Sequence, residues 1–463
     1  MATLRFLLNG ERVDEHRAPP TMTVLDYLRG VRRLTGTKEG CAEGDCGACA
    51  IAVAQPGAGE QHYQAVNSCL MMLPQLDGAS VLTVEGLAGK DGALHPVQQA
   101  LVETDGTQCG FCTPGFVMAM FAFQQAGEKA SDDAIHEALA GNLCRCTGYR
   151  PIVDACRKIA GKPAGFANVD LDALKQTKLD GEYSSEKERF FTPQNVETLL
   201  LVLRWLPDAV LLGGGTDLGL LVSKERKRLP AVIWTGQIRE LKEIRDEPGA
   251  LQLGGAVTYT EALPYLDKAF PSFGALVRRI GSRQIRNLGT IAGNIATASP
   301  IGDTLPCLIA LNASVVLCSE GGKREAPIEE FITGYRKIAL NKGEFIASIL
   351  IPRLGAGQQF FVYKLSKRFD QDISAVIAAF RVEIAGGRVK KLRAAYGGMA
   401  ATPKRAAAVE AALTGKPWTQ ETLSNIDAVL AEDFTPMDDQ RASAKYRLRA
   451  GANLLRRLQM EAS

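Results

Sequence analysis

"KEGCAEGDCGAC", Lys38 to Cys49, sets three cysteines within nine residues and threads Gly40, Gly44 and Gly47 among them. The spacing is C-x4-C-x2-C for Cys41, Cys46 and Cys49, and Cys69 follows further along the chain. Thiols that close together, on backbone that glycine leaves free to take positive φ, are placed to converge on metal while N–H groups turn toward it.

The spacing is that of plant-type [2Fe–2S] sites, in which four thiolates hold two irons. A structural zinc site is the rival, but zinc ribbons favour paired C-x2-C knuckles. A second set lies in "QCGFCTPG" (Cys109, Cys112) and "NLCRCTGYRP" (Cys144, Cys146). Thr113 reads as the N-cap and Pro114 as the first residue of a helix that stops near Gly127. A second helix runs from Ser131 to Gly141, a good C′ residue. Two antiparallel helices of similar length would bring both thiol pairs to one end of a hairpin. By spacing alone zinc competes here too; the neighbouring site favours a second [2Fe–2S] cluster, because two in tandem make an electron path. Cys156, Cys307 and Cys318 sit in apolar surroundings and read as inert core thiols.

Around these sites the chain divides by texture. Residues 1–85 read as a small β-grasp sheet on one helix: "TLRFLLNGERV" as a hairpin turning at Asn9-Gly10, "TVLDYLRGV" as a helix capped by Thr23, "ACAIAVA" and "SVLTVEGL" as strands. Residues 86–160 read as a helical domain with starts at Pro96, Pro114, Ser131 and Pro151. Residues 161–190 are polar and read as a linker. Residues 191–355 are mixed α and β, and 356–463 form a further α+β subdomain, with strands turning at Gly386-Gly387 and a closing helix over 438–459. The fold class is α+β and multidomain.

At 463 residues the chain is too long for a single core. Lys+Arg 54 against Asp+Glu 51 gives no reason to expect nucleic acid or a membrane surface. The N-terminus lacks the apolar core of a signal peptide, and no apolar run reaches the roughly 18 residues of a membrane span. Eleven cysteines, mostly clustered, suit a reducing compartment, so the expected location is cytoplasmic. His16, His62, His95 and His136 lie far apart in sequence, which argues against a histidine-rich metal site.

Two glycine-punctuated stretches remain. "LLGGGTDLG" puts Gly213, Gly214 and Gly215 between an apolar strand and a helix starting near Thr216, an arrangement suited to pyrophosphate or, equally, to a tight turn. "SRQIRNLGTIAGNIATASPIGDTLP" reads as a partly buried ligand wall or an irregular surface loop.

The order of these motifs resembles the small iron–sulfur/FAD subunit of the bacterial xanthine dehydrogenases, within the molybdenum hydroxylase family. The resemblance rests on "EGCAEGDCGAC", "QCGFCTPG", "GNLCRCTGYRPI", "AGNIATASPIGD" and "YKLSKRFDQDIS", and covers essentially the whole chain. It implies a β-grasp cluster domain, a four-helix cluster domain and an FAD domain of the vanillyl-alcohol-oxidase-like type. Cys41, Cys46, Cys49 and Cys69 would hold one [2Fe–2S] cluster, and Cys109, Cys112, Cys144 and Cys146 the other. FAD would lie along Leu211, Leu212, Gly213, Gly214, Gly215, Thr216, Asp217 and Leu218, along Thr290, Ile291, Ala292, Gly293 and Asn294, and against Asp303, Ile346 and Lys364. Ile280 stands where mammalian relatives place an aromatic near the flavin ring.

The resemblance further implies a large molybdopterin-binding partner, a heterotetramer of two small and two large subunits, NAD+ as acceptor, and a purine as substrate, hypoxanthine going to xanthine and xanthine to urate. No catalytic residue is expected on this chain. Lys364, Lys367 and Arg368 are candidates to steer an anionic dinucleotide, against the plain reading of a solvated charge run. The alternatives are a subunit of another molybdenum hydroxylase acting on aldehydes, N-heterocycles or carbon monoxide, a self-contained NADH-dependent reductase, and a zinc-stabilised scaffold.

Overall fold

A computed structural model describes residues 3–55, 63–89, 91–162 and 181–462. His62 and residues 163–180, most of the expected linker, lie outside them. The described chain forms two compact units, residues 1–238 with 281–289 and residues 239–280 with 290–463.

The first unit opens with the expected hairpin, β1 (Leu4–Leu8) and β2 (Glu11–Glu15), turned by Asn9 and Gly10 at φ 54° and 84°. Thr23 caps α1 (Val24–Asp26) through the Asp26 N–H. The expected helix is α-helical for those three residues only; Tyr27–Val31 widens to a π turn, in which Arg32 N–H reaches the Tyr27 carbonyl. β3 (Ala50–Ala54), β4 (Gln64–Asn67) and β5 (Ser80–Leu82) complete a five-stranded sheet in the order β2-β1-β5-β3-β4. The expected strand "SVLTVEGL" stops at Leu82 because Asn9 Oδ1 takes the Thr83 N–H at 2.9 Å. Leu4, Phe6, Tyr27, Ile51 and Val81 fill the core beneath it.

Four helices follow: α2 (Pro96–Glu103), α3 (Thr113–Gln125), α4 (Asp132–Leu139) and α5 (Arg150–Ile159), packed on Phe116, Met120, Phe121, Ile135 and Ile152. α3 begins one residue earlier than expected, with Cys112 at the N-cap position. α4 has 8 residues against the 13 of α3, so the hairpin arms are unequal. Gly141 is not a left-handed C′ residue; a Cβ there would lie 2.0 Å from Gln284 Oε1, so glycine is needed for room.

The unit then forms a second sheet from β6 (Gly181–Ser184), β7 (Arg189–Thr192), β8 (Val210–Leu212) and β9 (Ala231–Trp234), in the order β6-β7-β9-β8, with α6 (Val196–Trp205) and α7 (Leu218–Ser223). β6 and β7 begin within the stretch read as linker.

The second unit has one mixed α+β half and one hairpin-based half. β10 (Ile244–Asp246), β11 (Ala250–Gly254), β12 (Ser314–Ser319), β13 (Gly322–Pro327) and β16 (Phe345–Pro352) form an antiparallel sheet in the order β10-β11-β16-β12-β13, beside a small β14–β15 pair (Ile332–Gly334, Lys337–Ile338). Against it pack α8 (Tyr259–Ala269), α9 (Pro271–Arg278), α10 (Ile291–Thr297) and α11 (Thr304–Ala310), around Leu253, Leu266, Phe273, Ile295 and Leu308. The long strands β17 (Gln358–Leu365), β18 (Val376–Ala385) and β19 (Arg388–Gly397), with β20 (Lys404–Arg405), carry α12 (Ala407–Leu413), α13 (Ile426–Asp433) and α14 (Ala444–Glu461). Gly386 and Gly387 turn the β18–β19 hairpin at φ 58° and 67°, as the sequence reading has it. The closing helix starts at Ala444, not 438, because Ser443 caps it through the Tyr446 N–H.

Candidate functional site: two thiol sites and a glycine loop

The first thiol site is a loop folded onto sulfur. Cys41 Sγ accepts from the backbone N–H groups of Glu43 (3.4 Å), Asp45 (3.3 Å) and Cys46 (3.3 Å), and the Cys41 N–H points at Cys46 Sγ (3.3 Å). Gly44 and Gly47, at φ 79° and 69°, make that curl possible. Gly40 serves differently: its φ is not positive, and a Cβ there would stand 2.7 Å from Cys46 Sγ. The Cys46 thiol and then the three N–H groups, against the effect of burial, hold Cys41 well below the usual thiol range, at about 5. Such donors favour the thiolate, the form that ligates metal. Cys49 and Cys69 are buried, 3.3 Å apart, beside Leu25 and Leu70.

The second site is more open. Cys112 lies against Cys144, and Cys109 against Cys146. Burial first, and the Cys144 thiol second, push Cys112 up to about 12. Cys109 and Cys146 are exposed. Tyr149 Oη accepts from the Cys144 N–H at 3.1 Å, and Thr147 Oγ lies 3.1 Å from Cys144 Sγ.

Among the described residues no three His, Cys, Asp or Glu side chains are grouped so as to hold one metal ion. The thiols come in pairs: Cys41 with Cys46, Cys49 with Cys69, Cys112 with Cys144, Cys109 with Cys146. Two pairs around two irons is the donor set of a [2Fe–2S] site, whereas tetrahedral zinc gathers its ligands on one ion. The remaining cysteines are buried, with Cys156 and Cys307 inside the apolar cores.

The two sites adjoin. Leu143 N–H donates to the Cys46 carbonyl at 3.0 Å, and Asn142 Nδ2 donates to the Gly47 carbonyl at 3.1 Å. A Cβ on Gly115 would lie 2.2 Å from the Gly47 carbonyl oxygen, so the backbones meet only because glycine stands there.

The "LLGGGTDLG" loop packs on the other side of the first site. α7 begins at Leu218, later than the expected Thr216, and Lys224 just beyond it donates to the Cys41 carbonyl at 2.9 Å. A Cβ on Gly219 would lie 2.6 Å from the Leu70 carbonyl oxygen, and Gly215 sits at φ 82° beside the same oxygen. Gly214 is needed for close approach, since a Cβ would lie within bonding distance of the Leu288 carbonyl. Among the described residues, none of the N–H groups of Gly214, Gly215, Thr216 and Asp217 donates to a protein acceptor, a fit for an anionic ligand.

The other expected flavin residues belong to the second unit. Thr290 caps α10 through the Gly293 N–H (2.9 Å); Ile291 and Ala292 are buried, and Asn294 Oδ1 accepts from Thr304 Oγ at 2.5 Å. Ile346 lies half-buried on β16, and Ile280 packs against the core. Asp303 and Lys364 are buried and paired: Lys364 Nζ reaches Asp303 Oδ2 at 2.8 Å and the Arg279 carbonyl at 2.9 Å, while Ser374 Oγ donates to Asp303 Oδ1 at 2.5 Å. Lys364 is therefore no free steering cation; Lys367 and Arg368 are exposed, Lys367 Nζ donating to the Gln440 carbonyl at 2.7 Å and Arg368 pairing with Asp372 at 3.6 Å.

Four family models match in tandem. A 2Fe-2S iron–sulfur cluster binding domain covers residues 6–73, and a [2Fe-2S] binding domain covers 83–157. The FAD binding domain in molybdopterin dehydrogenase covers 184–354, and the CO dehydrogenase flavoprotein C-terminal domain covers 361–462. The chain belongs to the molybdenum hydroxylase family. It has the architecture of that family's small iron–sulfur/flavin subunit.

The xanthine dehydrogenase of Emericella nidulans is 34% identical over 93% of this chain and 36% of its own length. The xanthine dehydrogenase/oxidase of Mus musculus is 32% identical over 93% of this chain and 37% of its own. The chain thus spans a little over a third of these curated relatives. A solved chain of the carbon monoxide dehydrogenase from Hydrogenophaga pseudoflava, 28% identical, aligns with 61% of this chain and 98% of itself at a TM-score of 0.56. No described helix of this molybdenum hydroxylase chain is long and apolar enough to cross a membrane.

Sequence reasoning missed Asn142 and Gln284, whose amides hold the thiol sites together. The "SRQIRN" run was read with the ligand wall that follows it, but residues 281–289 belong to the iron–sulfur unit.

Proposed function

We propose that the chain is the electron-transfer part of a xanthine dehydrogenase, passing reducing equivalents from a molybdopterin centre on a partner subunit to NAD+. Cys41, Cys46, Cys49 and Cys69 hold one [2Fe–2S] cluster, and Cys109, Cys112, Cys144 and Cys146 the other. FAD is held by the residues from Leu211 to Leu218 and from Thr290 to Asn294, with Asp303, Ile346 and Lys364. When bound, the clusters supply one-electron carriers and the flavin a group that exchanges electron pairs with NAD+.

The observation that carries this reading is the order of contacts within the first unit. The Cys144 segment touches the Cys46 loop through Leu143, and the Cys69–Leu70 segment touches the glycine loop and the helix after it through Gly215 and Gly219. The chain's own work is positional. Backbone N–H groups stabilise sulfur charge at Cys41, and the burial of Cys49 and Cys69 excludes water from the first site. The buried Lys364–Asp303 pair fixes the start of the loop after β17.

The partner is a large molybdopterin-binding subunit, in a cytoplasmic heterotetramer of two small and two large chains acting on hypoxanthine and xanthine. The exposed Cys109 and Cys146, rimmed by Phe111, Leu143 and Tyr149 at 49%, 41% and 40% exposure, mark an apolar surface suited to such a partner. The test is affinity purification of the tagged chain from its native cell. A co-purifying molybdenum-containing chain, with xanthine-dependent reduction of NAD+, supports the reading. Molybdenum with activity on aldehydes or N-heterocycles alone would reassign the substrate, and iron-free chain containing zinc would remove the electron-transfer role.

A further inference from the structure

One short segment, Gly281–Gly289, reaches all three elements of the proposed path. Gln284 Nε2 donates to Asn142 Oδ1 at 2.8 Å, and Asn142 Nδ2 passes the contact on to the Gly47 carbonyl at 3.1 Å. Arg283 forks onto Glu128 at 2.6 and 3.0 Å, and the buried Arg286 pairs with Glu137 at 2.8 Å. These bonds hold the helical thiol domain. Ile285 packs with Cys49, Cys69 and Leu70, and Asn287 Nδ2 donates to the Ala65 carbonyl at 2.8 Å, which holds the first thiol domain. The Leu288 carbonyl fills the space that a side chain at Gly214 would need, which holds the glycine loop.

The chemistry of these bonds separates a brace from ordinary packing. An ion pair such as Arg286–Glu137, with the arginine buried and the carboxylate partly exposed, adds little net stability, because desolvation offsets the attraction. What it and the buried amide relay fix is register. Gly141 leaves room for Gln284, and Gly47 leaves room for Asn142, whose Nδ2 would stand 2.5 Å from a Cβ there.

We propose that Gly281–Gly289 is a brace that sets the spacing of the two iron–sulfur sites, with Gln284 as its positioning residue acting through Asn142. This rests on the functional reading above. Electron exchange and magnetic coupling between two such centres both fall steeply with separation. A small slip of the Leu143–Cys144 segment from the Cys46 loop would therefore be visible.

The test uses the full chain reduced with dithionite. Low-temperature electron paramagnetic resonance gives the signal of each cluster and the splitting that one imposes on the other. In Gln284→Leu, which keeps bulk but removes the donor, both cluster signals and the iron content are expected to remain while the splitting is lost. Should that variant fail to fold, the Arg286→Met/Glu137→Met pair, which removes the ion pair without leaving a lone charge, is expected to give the same loss. Unchanged splitting in whichever variant folds overturns the brace. Wild-type chain with no cluster signals would instead overturn the functional reading itself, so the two failures are distinguishable.

Discussion

The two thiol sites use the same four-cysteine donor set and opposite surroundings. The first is wrapped by its own loop, with N–H groups turned onto Cys41 and with Cys49 and Cys69 sealed in the core. The second hangs on helix ends, with Cys109 and Cys146 facing out. The difference teaches that glycine can serve a metal loop in two ways, by permitting positive φ at Gly44 and Gly47 and by leaving room at Gly40. It also assigns the sites different neighbours: the inner one a glycine loop, the outer one solvent or a partner.

The contrast breaks most visibly at the ligands. Cys49→Ser and Cys146→Ser should each lower the iron content by about half, since each removes one of two clusters. Only Cys49→Ser should also lower the melting temperature markedly, because Cys49 is buried among Leu25, Cys69 and Leu70 whereas Cys146 is exposed. Iron analysis beside calorimetry checks both, and equal melting temperatures would erase the distinction between the sites.

In metal-free chain, an alkylating reagent should modify Cys109 and Cys146 first and Cys49 and Cys69 last. Peptide mass spectrometry over time reads that order, and simultaneous labelling would contradict it.

Glycine substitutions sharpen the comparison. Gly40→Ala forces a methyl against Cys46 Sγ and should cost about 1–3 kcal/mol, the range for overpacking. Gly110→Ala meets no atom and only has to hold φ 83°, at about 1 kcal/mol. Denaturant unfolding of the two variants should rank them in that order.

The smallest effect is Tyr149→Phe. It removes the acceptor of the Cys144 N–H and should cost under about 1 kcal/mol. Redox titration should show any change confined to the second site, and a shift at the first would mean that the environments are not separable.

Much of this was open to reading in the sequence where local chemistry dominates. The Asn9-Gly10 turn and the Thr23 and Ser131 caps are short-range signals, and each falls where expected. What could not be read was tertiary. Lys364 looks like a surface cation in "YKLSKRFD" until Asp303, far away in sequence, is brought to it. Gly141 looks like a helix stop, yet is glycine because Gln284 lies above it. The division of "SRQIRNLGTIAGN" between two units has no local signature at all, since one continuous run of residues changes partners at Gly289.

The central claim, that the chain conducts electrons, is tested most directly by anaerobic titration of the purified chain with NADH, followed by visible absorbance. The account predicts flavin and iron–sulfur bands that bleach together, with about four irons per chain. Bands that NADH leaves unchanged, or a colourless chain that contains zinc, would contradict it.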